Sequence, residues 1–384
     1  MAGFASQAQV RVTDSLLPQI AADFHTTVGE AAMVVTAYAM AHGSIQLVIG
    51  PVGDRLGKYR AVALMCAIGA MLVALCGTAA SLSQLALARL ATGVAAGWVI
   101  PISMAYVGDV TPYERRQPIL ARYLTGQILG QLFGQAAGGV LGDLVGWRNV
   151  FFVLSVMFAL AAAGLVFELA TNPQTRKPGR PDQTTRGFVA DYVAVLSAHF
   201  SRVVIIAAFI EGALVWGAFA YIGAHLRLRF GLSFTLVGMT VACFGIGGLI
   251  YAGLVKLFVY RLGQSGLAVT GGIIIMAAYL DLAAAPAWWL APVATMAIGL
   301  GFYMLHNTLQ VNATQMTPQA RGTAVAIFSS AIFVGQTAGV AMGALVIDRA
   351  GAVPLFLGTA VTVPVLALWF ARELRRHRAG KALL

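Results

Sequence analysis

Charge is what this chain has least of. Only 10% of its 384 residues are Asp, Glu, Lys or Arg, against 59% hydrophobic, and the mean hydropathy is +0.82. A soluble domain carries roughly 25% charged residues, so there is too little charge here to cover a water-facing surface. Cysteine is scarce too. Cys66, Cys76 and Cys243 each fall within an apolar run, a placement that supports neither a disulfide framework nor a zinc site. Also absent are H-E-x-x-H, G-x-S-x-G and G-x-x-x-x-G-K-[ST], the patterns of a zinc protease, a serine hydrolase and a phosphate-binding loop. The expectation is therefore no enzyme, no metal and no cofactor, with any uphill work drawn from an ion gradient. A net charge of +11 would suggest nucleic acid in a soluble protein. Here the basic residues sit on short loops, where they act as topology signals, and no nucleic-acid partner is expected.

What the chain has in abundance is apolar runs of the roughly 20 residues that cross a bilayer as a helix. They lie near 1–22, 29–49, 61–80, 83–106, 118–142 and 149–169, then near 203–224, 234–256, 266–285, 289–311, 320–347 and 353–371. Only helices or closed barrels satisfy backbone polar groups in lipid, and these runs are too long and too continuously apolar for barrel strands. The predicted fold is an all-α integral membrane protein of twelve transmembrane helices, with the lipid bilayer as its constant partner. The stretch "TNPQTRKPGRPDQTTR", residues 171–186, reads as a linker outside the membrane and divides the chain. The expected units are a six-helix half over 1–170, a linker over 171–200, and a second six-helix half with a basic tail over 201–384. Phe188, Tyr192, Leu196 and Phe200 recur every four residues, which fits either an interfacial amphipathic helix or an extension of the seventh span.

Arg55, Lys58, Arg60, Arg115, Arg116, Arg176, Lys177, Arg180, Arg186, Arg261, Arg321 and the tail "RELRRHRAGK" all fall on one side of this topology, against Arg148, Arg227, Arg229 and Arg349 on the other. The positive-inside rule places both termini and the linker in the cytoplasm, with the chain multi-pass in the cytoplasmic (inner) membrane. The halves also echo each other. A shift of 206 aligns Arg55-Leu56-Gly57 with Arg261-Leu262-Gly263, Gly93 with Gly299, Thr111-Pro112 with Thr317-Pro318 and Arg115 with Arg321. A shift of 205 aligns Gly130, Gly134 and Gly138 with Gly335, Gly339 and Gly343. Halves repeated in one orientation imply a pseudo-two-fold axis along the membrane normal and a central cavity near the midplane.

With these features in place, the chain resembles the major facilitator superfamily over essentially its whole length. "GPVGDRLGKYR", residues 50–60, is similar to that family's loop signature between spans two and three. "RLATGVAAG" from Arg89 is similar to its span-four motif, "GQLFGQAAGG" from Gly130 to its span-five glycine motif, and "WRNVFF" from Trp147 to its entry into span six. "TDSLLPQIAADF" from Thr13 is similar to the span-one signature of the twelve-span drug:proton antiporters. The resemblance implies a monomeric secondary transporter working by alternating access, with protons and a small-molecule substrate as partners. Export of small amphipathic organic molecules is the reading that follows. Antiporters commonly carry proline after the second glycine of the span-five motif, where this chain has Gln135, so proton symport or uniport of a polar metabolite stays open.

The candidate site residues come from polar groups in apolar surroundings. Gly50, Asp54, Arg55, Gly57 and Arg60 form a candidate cytoplasmic gate, its glycines allowing close approach and its charges pairing across helix ends; the alternative is a topology marker. The proton-coupling candidates are Asp14, Glu211, Arg11 and Arg89, since an ionisable group in hydrocarbon costs several kcal/mol unless paired or hydrated. Arg11 is three residues before Asp14, so the two form either a static pair or one whose partner swaps. Glu211 has no opposite charge within a helical turn. Arg89 either snorkels or tunes a carboxylate. Gln127, Gln131 and Gln135 at i, i+4 and i+8 are substrate-binding candidates, together with Tyr38, Trp98, Trp216, His306, Asn307 and Gln310. His42 reads as a satisfied packing residue and Asp281 as a solvated helix-end carboxylate.

Overall fold

A computed structural model describes residues 1–111, 113–176 and 185–382, and among them there is no strand. The first half of the chain forms α1 (Ala2–Asp23), α2 (Val28–Ala31), α3 (Met33–Gln46), α4 (Ile49–Leu56), α5 (Lys58–Gly77), α6 (Leu82–Val110), α7 (Tyr113–Val145) and α8 (Trp147–Thr171). A 3-10 turn at Pro173–Arg176 follows, then α9 (Thr185–Ser197). The second half forms α10 (His199–Glu211), a π-turn at Gly212–Trp216, α11 (Gly217–Phe219), α12 (Ile222–Phe230), α13 (Phe234–Ala284), α14 (Ala291–Ala313), α15 (Arg321–Ala350) and α16 (Val353–Ala382).

Among the described residues nine helical segments are long and apolar enough to cross a membrane: Lys58–Gly77, Leu82–Val110, Arg122–Val145, Trp147–Thr171, His199–Phe230, Phe234–Ala284, Trp288–Ala313, Arg321–Ala350 and Val353–Ala379. The protein is thus a multi-pass, all-helical membrane protein. Two expected spans fall short of that criterion and two others merge into one segment, each for a physical reason. Helix α1 has the length but carries Gln9, Arg11, Thr13, Asp14 and Ser15, all of them buried inside the bundle rather than set against lipid. The second expected span is interrupted at Ala32 and again at Leu47–Val48, which leaves α3 only 14 residues long. The eighth and ninth run together as α13, broken only at Gly263 (φ +61°, ψ 178°).

Gly263 and Gly57 are two of the five described glycines at positive φ, with Gly146, Gly231 and Gly351. Gly57 ends α4 and opens α5 at φ +84°. A side chain at either would meet the steric penalty of positive φ. These are the residues that the 206-residue shift aligns, so the sequence repeat carries a repeated backbone bend.

The glycine ladders act by absence of a side chain. A Cβ at Gly130 would lie 2.3 Å from the Phe4 carbonyl oxygen, at Gly134 2.2 Å from that of Ala8, and at Gly138 2.5 Å from that of Val12. Helices α7 and α1 therefore lie backbone against backbone. The aligned ladder does the same for α15, where a Cβ at Gly335 or Gly339 would lie 2.0 Å from the Phe209 or Ala213 carbonyl oxygen. In lipid, where apolar contact alone does not favour helix over acyl chain, such close approach is a main source of association. The two halves of the chain meet where α7 packs on α13, α3 on α15, and α1 on α12.

Helix α9 is a separate helix and not an extension of the next span, because Ala198 adopts an extended conformation (ψ 127°) between them. Its buried face packs Val195 with Ala320, Ala324 and Ile327, and partly buried Tyr192 and Leu47 join them. The Tyr192 hydroxyl donates to the Leu47 carbonyl, and burial raises this phenol above its ordinary range, so it stays a protonated donor.

Substituting Gly134→Ala should lower the thermal stability of the detergent-solubilised protein by about 1–3 kcal/mol through overpacking. Gly164→Ala, whose Cβ meets nothing within 4 Å, should leave stability equal or slightly raised. Equal melting temperatures for both variants and the parent would contradict this account of the ladder.

Candidate functional site

The Gly130 ladder presses α1 onto α7 and so carries the polar face of α1 into the bundle. Asp14 is 1% exposed, and among the described residues neither of its carboxylate oxygens has a hydrogen-bond partner. Its nearest cation is Arg11, whose Nη1 stands 3.7 Å from Oδ2, too far for a hydrogen bond. Arg11 is turned instead toward the second half of the chain. Its Nη2 donates to Gln336 Oε1 on α15 at 3.3 Å, and its guanidinium carbon lies 3.3 Å from the ring centroid of Trp216.

Trp216 reaches that position from an irregular stretch. The π-turn at Gly212–Trp216 follows directly on Glu211. Bonding i to i+5 widens the helix there and brings Glu211 and Trp216 one turn apart, where an α-helix would place them on different faces. Such turns recur at functional sites.

Glu211 is fully buried. Its Oε2 lies 2.9 Å from His306 Nδ1 on α14, and its Oε1 has no partner among the described residues. His306 stacks on Phe302 (4.7 Å between centroids, 17°) and also meets Phe328. Trp216 packs on Phe219, Phe244 and Phe302, so one aromatic cluster backs both the Arg11 contact and the His306 contact.

Of the two readings its position suggested, Arg89 does not take the snorkelling one. It is fully buried, donates to the backbone carbonyls of Gln9 (3.1 Å) and Val34 (3.4 Å) and to Thr13 Oγ1 (3.5 Å), and lies over the Tyr38 ring. It ties α6 to α1 and α3, and so fixes the backbone that carries Arg11 and Asp14. It does not snorkel.

Gln127, Gln131 and Gln135 are all buried. The amide nitrogen of Gln131 and both amide ends of Gln135 lack partners among the described residues, as do both ends of Gln9 and the Tyr38 hydroxyl. Buried polar groups are otherwise almost always bonded, so this collection on α1, α3 and α7 forms a polar wall with capacity to spare. His42 is buried against Phe333 of the opposite half (4.3 Å) as a packing residue, but its Nδ1 is unsatisfied, which corrects the expectation of a fully bonded core histidine. Trp98 is buried in the main hydrophobic core. The expected cluster of His306, Asn307 and Gln310 is divided: His306 faces Glu211, Asn307 bonds Tyr251, and Gln310 is exposed.

Of the gate candidates, Gly50, Asp54 and Arg55 lie on α4, and beyond that they fall outside the described residues. Gly57 provides the bend and Arg60 is exposed. The ion pair described at this loop is Lys58 Nζ to Asp109 Oδ2 at 2.5 Å, which fastens the start of α5 to the end of α6.

Gln336 was not among the sequence candidates, although a signal for it existed. The shift of 205 that superposes the glycine ladders also superposes Gln131 on Gln336.

The family model described as Major Facilitator Superfamily matches residues 1–319. The chain is similar to the uncharacterized MFS-type transporter YceJ of Bacillus subtilis (strain 168), 24% identical over 333 residues, covering 84% of this chain and 82% of that protein. It is also similar to the bicyclomycin resistance protein homolog of Haemophilus influenzae, 26% identical over 362 residues, covering 87% and 84%. Among solved structures, the nucleoside transporter NupG superposes with a TM-score of 0.73 at 15% identity, covering 97% of this chain and 98% of that one.

The two buried arginines should behave differently when removed. Arg89→Met strips bonds to two helices and should cost roughly 2–4 kcal/mol of stability. Arg11→Met loses one 3.3 Å hydrogen bond and the contact with the Trp216 ring and should cost about 1–2 kcal/mol. Thermal unfolding of the two purified variants checks this, and a larger loss for Arg11→Met would reverse the assignment.

Proposed function

The chain belongs to the major facilitator superfamily, and from that premise we propose that this transporter is a proton-coupled exporter of small amphipathic organic molecules, working by alternating access. The proposed architecture is twelve spans in two six-helix halves, monomeric in the cytoplasmic (inner) membrane, with both termini cytoplasmic. Gly50, Asp54, Arg55, Gly57 and Arg60 are proposed as the gate on the cytoplasmic side.

The observation that carries the proton reading is one buried acid in each half of the chain, each beside a base and each with an oxygen left unpartnered among the described residues: Asp14 by Arg11, Glu211 by His306. An ionised carboxylate without partner or water is costly in hydrocarbon, so an acid in that position takes up a proton. With Arg11 held across the seam by Gln336 and Trp216, Asp14 is left to its proton. When the halves part at that level, Arg11 loses both cross-seam contacts and closes on Asp14, and the ion pair expels the proton. Glu211 Oε2 lies 2.9 Å from Nδ1 of His306, whose ring stacks on Phe302 at the edge of the aromatic cluster. A substrate with an apolar ring system and a hydrogen-bonding edge fits between that cluster and the amide wall of Gln127, Gln131 and Gln135. Proton and solute then compete for the same groups, which is the requirement for exchange.

The printed name of the Haemophilus influenzae relative, a bicyclomycin resistance protein homolog, supports export. Gln135 in place of proline, together with a nucleoside transporter as structural neighbour, supports the second reading, proton symport or uniport of a polar metabolite.

The test is a substrate screen in proteoliposomes under an imposed pH gradient of either sign. Solute and proton moving in opposite directions supports exchange; parallel movement selects symport. Asp14→Asn and Glu211→Gln should each reduce gradient-driven accumulation to background while substrate counterflow without a gradient persists. Unchanged accumulation in both variants would remove proton coupling through these residues.

A further inference from the structure

Two carboxylates stand where their own helices disfavour them. Asp143 is in the last turn of α7 and Asp348 in the last turn of α15, at helix ends whose dipole repels negative charge. Each finds its compensation in the other half of the chain. Asp143 Oδ2 accepts from the Thr235 backbone N–H (3.0 Å) and hydroxyl (2.7 Å) at the start of α13. Asp348 accepts from the Gly29 backbone N–H (2.9 Å, on Oδ1) and the Thr27 hydroxyl (2.8 Å, on Oδ2) at the start of α2, whose line continues into α3 with only Ala32 between.

The two arrangements match in detail. Ser233 and Thr27 are the N-caps of α13 and α2, and each hydroxyl takes the N–H three residues on, that of Leu236 (3.2 Å) or Glu30 (3.0 Å). The N–H two residues on is left for the incoming carboxylate, so each helix start has two of its orphan donors satisfied, one from within and one from across the seam. Asp143 and Asp348 are related by the 205-residue shift, and Ser233 with Thr235 is related to Thr27 with Gly29 by the 206-residue shift. Beside each contact the backbones have no room for a side chain. A Cβ at Gly29 would be 2.3 Å from Asp348 Oδ2, and one at Gly139 would be 2.5 Å from Gly238 Cα.

We propose that Asp143 and Asp348 are gate residues of the transport cycle, a two-point clasp that holds the halves of the chain together at the end opposite the basic loops and releases each time that end opens. Charge-assisted bonds to helix starts suit this role, because water replaces them at modest cost at an exposed bundle end. Breaking one clasp leaves the other as a hinge, and breaking both frees the end. The proposal depends on neither the substrate nor the proton assignment above.

The test measures distance in the full chain without any substrate. In a background with Cys66, Cys76 and Cys243 replaced by alanine, spin labels at Val145→Cys and Leu228→Cys report the separation of the halves at this end by pulsed electron resonance. D143N/D348N should raise the ratio of long to short distances roughly 5- to 30-fold. Asp143→Asn alone and Thr235→Val alone should shift it in the same direction by less. Asp281→Asn, which removes a carboxylate with no role in either clasp, should leave the distribution as in the parent. Distances unchanged in D143N/D348N overturn the proposal. If the double variant does not purify as a folded protein, unchanged distances in both single variants overturn it equally.

Discussion

An ionisable group inside a bilayer must be paired, hydrated or neutralised, and the arrangement of this protein follows from how it meets that constraint on its first helix. Helix α1 is too polar to face lipid, so it is held in the bundle from two directions. The Gly130, Gly134 and Gly138 ladder brings α7 against its backbone, and Arg89 bonds to it from α6. What these contacts leave over, among the described residues, is unmatched polarity: Asp14 with both oxygens unbonded, and Arg11 turned toward the other half of the chain. The second half meets the same constraint by different means. Glu211 is paired with His306 and backed by aromatic rings, and the π-turn that follows it delivers Trp216 to the seam.

Close backbone approach is found both within a half, where α7 meets α1, and across the seam, where Gly139 meets Gly238. Near the acids the seam is crossed by side chains, Arg11 bonding Gln336 at 3.3 Å and lying on the Trp216 ring. Interactions that must break in every cycle cannot each cost many kcal/mol.

Much of this was legible in the residues. The runs of low charge identified a helical membrane protein, and the repeat at 205 and 206 anticipated the paired bends at Gly57 and Gly263 and the paired glycine ladders. Asp14 and Glu211 stood out because a carboxylate in an apolar run has few innocent explanations. What was hidden depended on contacts distant in sequence. His306 was grouped with Asn307 and Gln310 by proximity along the chain, whereas in space it answers Glu211, 95 residues away. The backbone carbonyls that Arg89 bonds carry no side-chain signal. The π-turn has no distinctive composition, and α13 conceals a break at a single glycine.

The central claim is that Asp14 holds a proton while Arg11 is engaged across the seam. Infrared difference spectroscopy of the purified protein, stepped in pH through the neutral range, reads the carbonyl stretch of a protonated carboxyl directly. The account predicts a titrating band that shifts in heavy water, disappears in Asp14→Asn, and grows when Arg11→Met removes the cation. A spectrum with no protonated-carboxyl band in the parent, or one identical in Asp14→Asn, would contradict it.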